Sequence, residues 1–395
     1  MNNPLGLSKR KLNEIFGDVK VLYYDNIEEV LGEYAVRVMK KTFERIMKAE
    51  VRGYLKTKRY GHRQDRIDYR NGYRRRDLMT TFGLLVDLKV PRTRKGYRTK
   101  VFRPYQRRWQ RVNEWIKDIF INGVSTRSVS HLVAKHYQVK LSAAEVSLLT
   151  KSVDVEVRAF HRRSLGDDYM YLFLDGVTHK VASCGRVVKK LVLVAYGIRA
   201  NGQREVIDYW VAKSESEADW TRFLNNLYRR GLRGEQLRLV IVDGGGGLNA
   251  ALDMIYPHVR RQRCWVHKLK NVVVKVPVRY RLECMRGARK IYLASNKKAA
   301  IQRFKEWRRQ WIPLVPKAVV CLEQDLEELL TFFSEDAKLW RKVRTTNMIE
   351  RLFREIRKRT KTMYGFANIE SCDRITYALF AKYNKQWKGH QYVKI

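Results

Sequence analysis

No apolar run in the 395-residue chain approaches the roughly 18 residues that a membrane-spanning helix needs. The longest, around Leu191 to Ile198, suits a strand. The opening stretch, MNNPLGLSKR, lacks the apolar centre of a secretory signal. Cysteine is scarce, with five scattered residues, which argues against a disulfide framework and for a reducing cytoplasm. No fixed-period repeat is visible. Acid is scarce too: 40 Asp and Glu stand against 82 Lys and Arg, a net charge of +42. Such a surplus points to a polyanionic partner, nucleic acid before an anionic membrane surface. The length leaves room for two or three domains.

What is present centres on Tyr169 to Gly176, YMYLFLDG. A near-continuous apolar run ending in a carboxylate predicts a buried strand with Asp175 at its carboxyl end. The pattern recurs at Leu237 to Gly244, LRLVIVDG, which ends in Asp243. Between them, Arg186–Ile198 and Gln203–Ala212 read as two further strands joined by Asn201-Gly202, a strong hairpin signal. Ser214 and Glu217 mark the start of a helix to about Arg230, and another helix is expected from Leu248 to Tyr256. Three antiparallel strands, a helix and a strand able to pair with the first make the order of a ribonuclease-H-like α/β core.

The rest of the chain divides by composition. Residues 1–50 read as helical, with an apolar stripe through Ile27, Val30, Leu31, Tyr34, Ala35, Val38 and Met39 that suits packing or dimerisation. Residues 51–111 form a basic module, about a third Lys and Arg, with interleaved aromatics and a strand-like Thr80–Pro91. Arginines there can neutralise phosphates while rings stack on bases or pack a small core. The candidate DNA contacts are Arg70, Tyr73, Arg74, Arg75, Arg76, Arg92, Arg94, Lys95 and, further on, Arg127. Residues 112–165 read as three helices, Val112–Asn122, Thr126–Tyr137 and Ala143–Phe160, with Gly123 between the first two. Ser125 is a cap for the second, and Ser142 with Glu145 a capping box for the third. They suit a helix-turn-helix or a plain helical connector. Residues 277–340 read as a helical insertion. Residues 166–276 and 341–395 would make the core, the latter with helices from Arg344 and over Thr376–Trp387. The fold class is therefore multidomain α+β.

Two aspartates on neighbouring strand ends in a basic protein suggest divalent ions working on phosphodiesters. Two ions about 4 Å apart stabilise both the attacking and the leaving oxygen, and hard carboxylates hold them. Either Asp-Gly taken alone also reads as an ordinary turn. A third carboxylate is open between Glu350, which equally completes a capping box with Asn347, and Glu355. Cys264 and His267, in QRCWVHKLKN, have the spacing of half a zinc site with no second pair in view. His267 otherwise reads as a group beside the aspartates, a phosphate contact or a core histidine.

Taken in order, several motifs resemble the Mutator-type transposases of bacterial insertion sequences. They are Arg70-Asn71-Gly72-Tyr73-Arg74, Val90-Pro91-Arg92, Gly123-Val124-Ser125-Thr126-Arg127, Leu174-Asp175-Gly176, Val242-Asp243-Gly244 with Gly247-Leu248, Gln262 to Lys268, and Thr345 to Arg351. The resemblance implies an Asp-Asp-Glu triad of Asp175, Asp243 and Glu350 as the catalytic residues and metal ligands, with a helical insertion before the Glu. Cys264 and His267 match the family's Cys-x-x-His element. It further implies two Mg²⁺ ions, with Mn²⁺ as a substitute, and double-stranded DNA as partner, both terminal inverted repeats and target. A homodimer or higher homo-oligomer acting at the nucleoid in the cytoplasm is expected. The alternatives are a related nuclease without strand transfer and a DNA-binding regulator.

Overall fold

The computed structural model describes residues 27–58, 60–61, 67–122, 124–137, 139–183, 186–360 and 365–393. The expected helix before residue 27 and the Gly123 helix break lie outside them. The chain divides into two compact units, Met1–Thr150 and Lys151–Ile395.

In the first unit, α1 (Ile27–Leu55) lies against a two-stranded antiparallel sheet, β1 (Arg70–Thr80) and β2 (Gly83–Thr93). Phe43 and Met47 of α1 bury against Leu78, Leu85, Leu88, Val90 and Phe102. The strand-like stretch expected at Thr80–Pro91 is thus a hairpin turn followed by β2. Thr80 and Gly83 close the turn, and Gly83 has φ +139°. Helices α2 (Gln110–Ile121), α3 (Thr126–Tyr137) and α4 (Ala143–Lys151) follow. The Ser125 hydroxyl caps α3 by accepting from the Ser128 amide at 3.1 Å. Ser142 and Glu145 form the reciprocal capping box of α4, each amide donating to the other's side chain at 3.1 and 3.0 Å. The helix expected over Ala143–Phe160 is interrupted at Ser152, and α5 (Val153–Arg162) is separate. Serine flanked by β-branched valine favours a helix end over a helix interior.

The second unit is built on a five-stranded sheet of β3 (Tyr169–Ser183), β4 (Arg186–Arg199), β5 (Arg204–Ala212), β6 (Leu239–Val242) and β7 (Arg261–Arg263). The spatial order is β5-β4-β3-β6-β7, with β3, β4 and β5 antiparallel and β6 and β7 parallel to β3. Helices α6 (Glu217–Arg229) and α7 (Gly246–Ile255) cover one face through Trp220, Phe223, Leu224, Leu227, Leu248 and Leu252. The capping residue of α6 is Ser216, which accepts from the Asp219 amide, not Ser214. Ser214 is taken instead by the Asp219 carboxylate, which accepts from its amide at 3.2 Å.

Beyond β7 come α8 (Trp265–Val274) and the helical stretch α9 (Val278–Tyr292), α10 (Lys297–Trp311), α11 (Pro316–Glu323), α12 (Leu326–Leu329) and α13 (Trp340–Val343). Two helices return to the sheet, α14 (Asn347–Thr360) and α15 (Ile369–Trp387). α15 begins earlier than the expected Thr376, because the Asn368 side chain caps it. A half-buried polar cluster joins α5, β5 and α15. His161 pairs with Asp208 at 2.7 Å and with Asp373 at 3.3 Å, and Arg230 pairs with Asp208. No described helix is long and apolar enough to cross a membrane.

Candidate active site

Asp175 does not end its strand. β3 runs on to Ser183 because β4 stays paired with it, as in Val177↔Val192 and Lys180↔Lys189. What ends near Asp175 is the pairing with β6, whose last partners are Phe173↔Ile241. Two residues further along this parallel register, Asp175 is level with Asp243. Across β6 and β7 the register Val242↔Arg263 then sets Asp243 level with Cys264. Asp175, Asp243 and Cys264 therefore occupy one level across three neighbouring strands.

The two aspartates arrive by different backbones. Asp175-Gly176 is straight strand, so the turn reading fails there. Asp243-Gly244 leaves β6 as a loop, with Gly244 at φ +95°. A Cβ on Gly244 would run into the guanidinium of Arg263, which donates to the Gly244 carbonyl at 2.6 Å. Each carboxylate is tethered by one oxygen. Oδ1 of Asp175 accepts from the Gly176 amide at 2.8 Å, and Oδ1 of Asp243 accepts from the Gly245 amide at 3.0 Å. Among the described residues, Oδ2 of neither accepts a hydrogen bond.

Glu350 lies in the first turn of α14. Its carboxylate does not close a capping box with Asn347. It faces α8 instead, with Oε1 3.3 Å from Nε2 of His267 and 3.6 Å from Nζ of Lys270. Glu355, the rival, pairs with Lys358 at 2.9 Å. Cys264 joins the parts. Its amide donates to the Val242 carbonyl at 2.7 Å, next to Asp243, and its sulfur accepts from the Thr346 amide at 3.3 Å, at the start of α14.

The electrostatics tie these groups together. Burial pushes the Asp175 carboxyl up to about 7; Asp243 and Glu350 add to the shift, while the Gly176 amide and His267 oppose it. The hydrogen bond with Cys264 is the largest cause raising His267 to about 9, helped by Cys264, Asp175 and Glu350 against the effect of burial. Burial alone would raise the Cys264 thiol, but hydrogen bonds with His267 and Thr346 bring it below its usual value. Glu215, which sequence reasoning missed, is raised by desolvation and by Asp243, against His267. Its only signal was a carboxylate just before α6. Among the described residues, no group of three or more His, Cys, Asp or Glu is close enough to enclose a metal ion. This holds for Asp175, Asp243 and Glu350 as they stand here, and it equally leaves the Cys264–His267 pair without the further ligands a zinc site needs.

Other residues of the Gln262–Asn271 stretch hold the segment around α12. Gln262 donates to the Leu329 carbonyl at 3.1 Å and accepts from the Phe332 amide at 2.7 Å. The Trp265 indole also donates to Leu329, at 2.7 Å, and Arg263 and Lys268 pair with Asp325.

In the first unit the candidate DNA contacts separate into two kinds. Arg70 donates to the carbonyls of Thr57 and Lys58, and Arg76 donates to the Gln106 carbonyl while stacking on Phe102. Arg75 pairs with Asp87 at 3.1 Å. Tyr73, Arg74, Arg92, Arg94, Lys95 and Arg127 are exposed.

Residues 16–390 match the model of the family described as Transposase, Mutator family. The chain is 32% identical over 360 residues to the transposase for insertion sequence element ISRM5 of Rhizobium meliloti, covering 91% of this chain and 90% of the relative. It is 33% identical to the transposase for IS905 of Lactococcus lactis, over 86% of each chain. It is 31% identical to that for IS256 in transposon Tn4001 of Staphylococcus aureus, over 92% of this chain and 94% of the relative.

Proposed function

The chain belongs to the Mutator family of transposases, and on that premise we propose that Asp175, Asp243 and Glu350 are its catalytic carboxylates on a ribonuclease-H-like core. The strand order β5-β4-β3-β6-β7, antiparallel on one side of β3 and parallel on the other, supports that fold. The observation that carries the assignment is the parallel register, Phe173↔Ile241, from which both aspartates are offset by the same two residues.

The chemistry of the donor set suits hard divalent cations, while Glu350 lies on His267 and Lys270 and the three carboxylates do not close around one point. The set consists of carboxylate oxygens, and the Oδ2 atoms of Asp175 and Asp243 have no protein partner among the described residues. Asp175, Asp243 and Glu350 would hold two Mg²⁺ or Mn²⁺ ions, which when bound stabilise charge on the attacking and leaving oxygens of a phosphodiester. The chain's own part is orientation. Backbone amides fix Oδ1 of each aspartate, and His267 and Lys270 offset the charge of Glu350.

The reaction is nicking at the end of the mobile element, then attack of the freed 3′-hydroxyl on another phosphodiester. Both steps are displacements at phosphorus, so one site serves both, without a covalent enzyme–DNA intermediate. The basic first unit would bind the terminal inverted repeats, and joining two ends calls for at least two copies of the chain. The test uses labelled element ends with Mg²⁺. Asp175→Ala should abolish cutting and joining while leaving end binding nearly unchanged. Persistent cutting would overturn the site, and hydrolysis without joined product would reduce the enzyme to a nuclease.

A further inference from the structure

The first unit contains an open groove of about 1000 Å³ between the β1–β2 hairpin and the segment from Gly96 to Arg108. Arg74, Arg92, Arg98, Arg107 and Lys140 line it, all exposed, with Arg76 half-buried among them. The register explains part of this concentration: Arg74 and Arg76 share a face of β1, opposite Val90 and Leu88 of β2, and Arg92 follows Val90 on that face. The lining holds two acids against eight basic residues, Arg94 and Arg108 included, and among the described residues neither acid is paired with Arg74, Arg76 or Arg107. Asp77 accepts from the Asp87 amide at 2.8 Å, and Glu145 faces Arg108 at 3.4 Å while capping α4.

Arg74, Arg76 and Arg107 lie within electrostatic reach of one another. Burial, then the charges of Arg74 and Arg107, push the Arg76 guanidinium below its usual value. Arg76 is also fixed in place, its guanidinium on the Gln106 carbonyl and 4.4 Å from the centre of the Phe102 ring. Like charges gathered in such excess over carboxylates are unfavourable in the free protein, and an anion between them relieves that repulsion.

Tyr105, on the same lining, is 93% exposed. Its backbone is left-handed, at φ +60°. A bulky residue held in that region is strained, and such strain clusters at ligand-binding sites. Neither burial nor packing accounts for an aromatic ring there.

We propose that this groove holds the sugar-phosphate backbone of one DNA strand, with the guanidiniums on consecutive phosphates and the Tyr105 ring against the adjoining sugar or base. The proposal rests on the reading of DNA as substrate and names where and how the first unit grips it. The strand belongs either to intact duplex or to a frayed element end; both present the same phosphates and differ in whether a base is free to stack.

The full-length chain is titrated against labelled duplex and single-stranded element ends, without divalent cation, over a range of salt. Because no cutting is involved, failure here is separable from failure of the carboxylate assignment. The double variant Arg74→Ala, Arg107→Ala should weaken binding about tenfold or more and lower the slope of log K against log salt by about 1.8 on duplex. Tyr105→Ala should weaken binding about tenfold with the slope unchanged. An equal Tyr105 loss on both probes supports a duplex strand, and a larger loss on the single-stranded probe supports a frayed end. The charge-matched control is Lys297→Ala, Lys298→Ala, at the exposed start of α10. Groove variants that keep their thermal unfolding midpoint yet lose no more affinity or salt slope than this control would overturn the proposal.

Discussion

Thr346 donates both its backbone amide and its hydroxyl to the sulfur of Cys264, at 3.3 and 3.4 Å. Cys264 in turn donates its amide to Val242, the residue before Asp243. One buried thiol thus connects the strand that delivers Asp243 to the helix that delivers Glu350. Cys264→Ala should remove the acceptor at the start of α14. Loss of a capping contact of this kind costs about 0.5–2 kcal/mol. A denaturant titration should show that loss, and cutting of labelled ends should fall further than the fraction unfolded explains. Cys264→Ser keeps an acceptor and should restore part of the cutting.

The two candidate glutamates can be separated directly. Glu350 faces His267 and Lys270 beside the aspartates, whereas Glu355 pairs with Lys358. Glu350→Gln should abolish both nicking and joining. Glu355→Gln should leave both within about twofold, since it loses a surface ion pair with Lys358 worth about 0.2–1 kcal/mol and keeps an acceptor for Tyr383. The reverse pattern, read on a labelled 3′ end, would move the third carboxylate to Glu355.

His161 gives the second unit a pH-dependent stability. Burial alone disfavours its charged form, but hydrogen bonds with Asp208 and Asp373 outweigh that and raise the ring to about 9. The folded value lies above the unfolded value of about 6.5. The stabilisation is therefore complete below about pH 6.5 and is lost as the pH rises through about 9. Thermal unfolding midpoints should fall across that window. His161→Gln should lower the midpoint at pH 6 and flatten the dependence above it.

Gly244 is required by its backbone and by its neighbour. Alanine there would be held at φ +95° with its Cβ against the Arg263 guanidinium. Gly244→Ala should destabilise the chain by about 2 kcal/mol in a denaturant titration. It should also lower cutting, because the loop orients Asp243. Gly246→Ala, whose Cβ would meet nothing within 4 Å, should be nearly silent in both measurements.

The strands that carry the aspartates were legible because burial on both faces leaves continuous apolar runs, as in Tyr169–Leu174 and Leu239–Val242. The Asn201-Gly202 hairpin and the caps at Ser125 and Ser142 were legible because turns and helix starts are local chemistry. The length of β3 was not. Gly176 reads as a stop, and only the partner strand β4 carries the ladder past it. The sorting of the arginines was not legible either, since Arg74 and Arg76 are near neighbours in sequence and only the 96–108 segment folding over the sheet buries one of them.

The sequence by itself determined the charge, the family and the residues able to do chemistry, because composition and motif order survive without coordinates. Tertiary structure decided which of them meet. Asp175, Asp243 and Cys264 share one level through strand register, and Glu350 turns to His267 because α14 is anchored on Cys264. Register and helix docking are set by long-range pairing, which has no local period for a sequence to display.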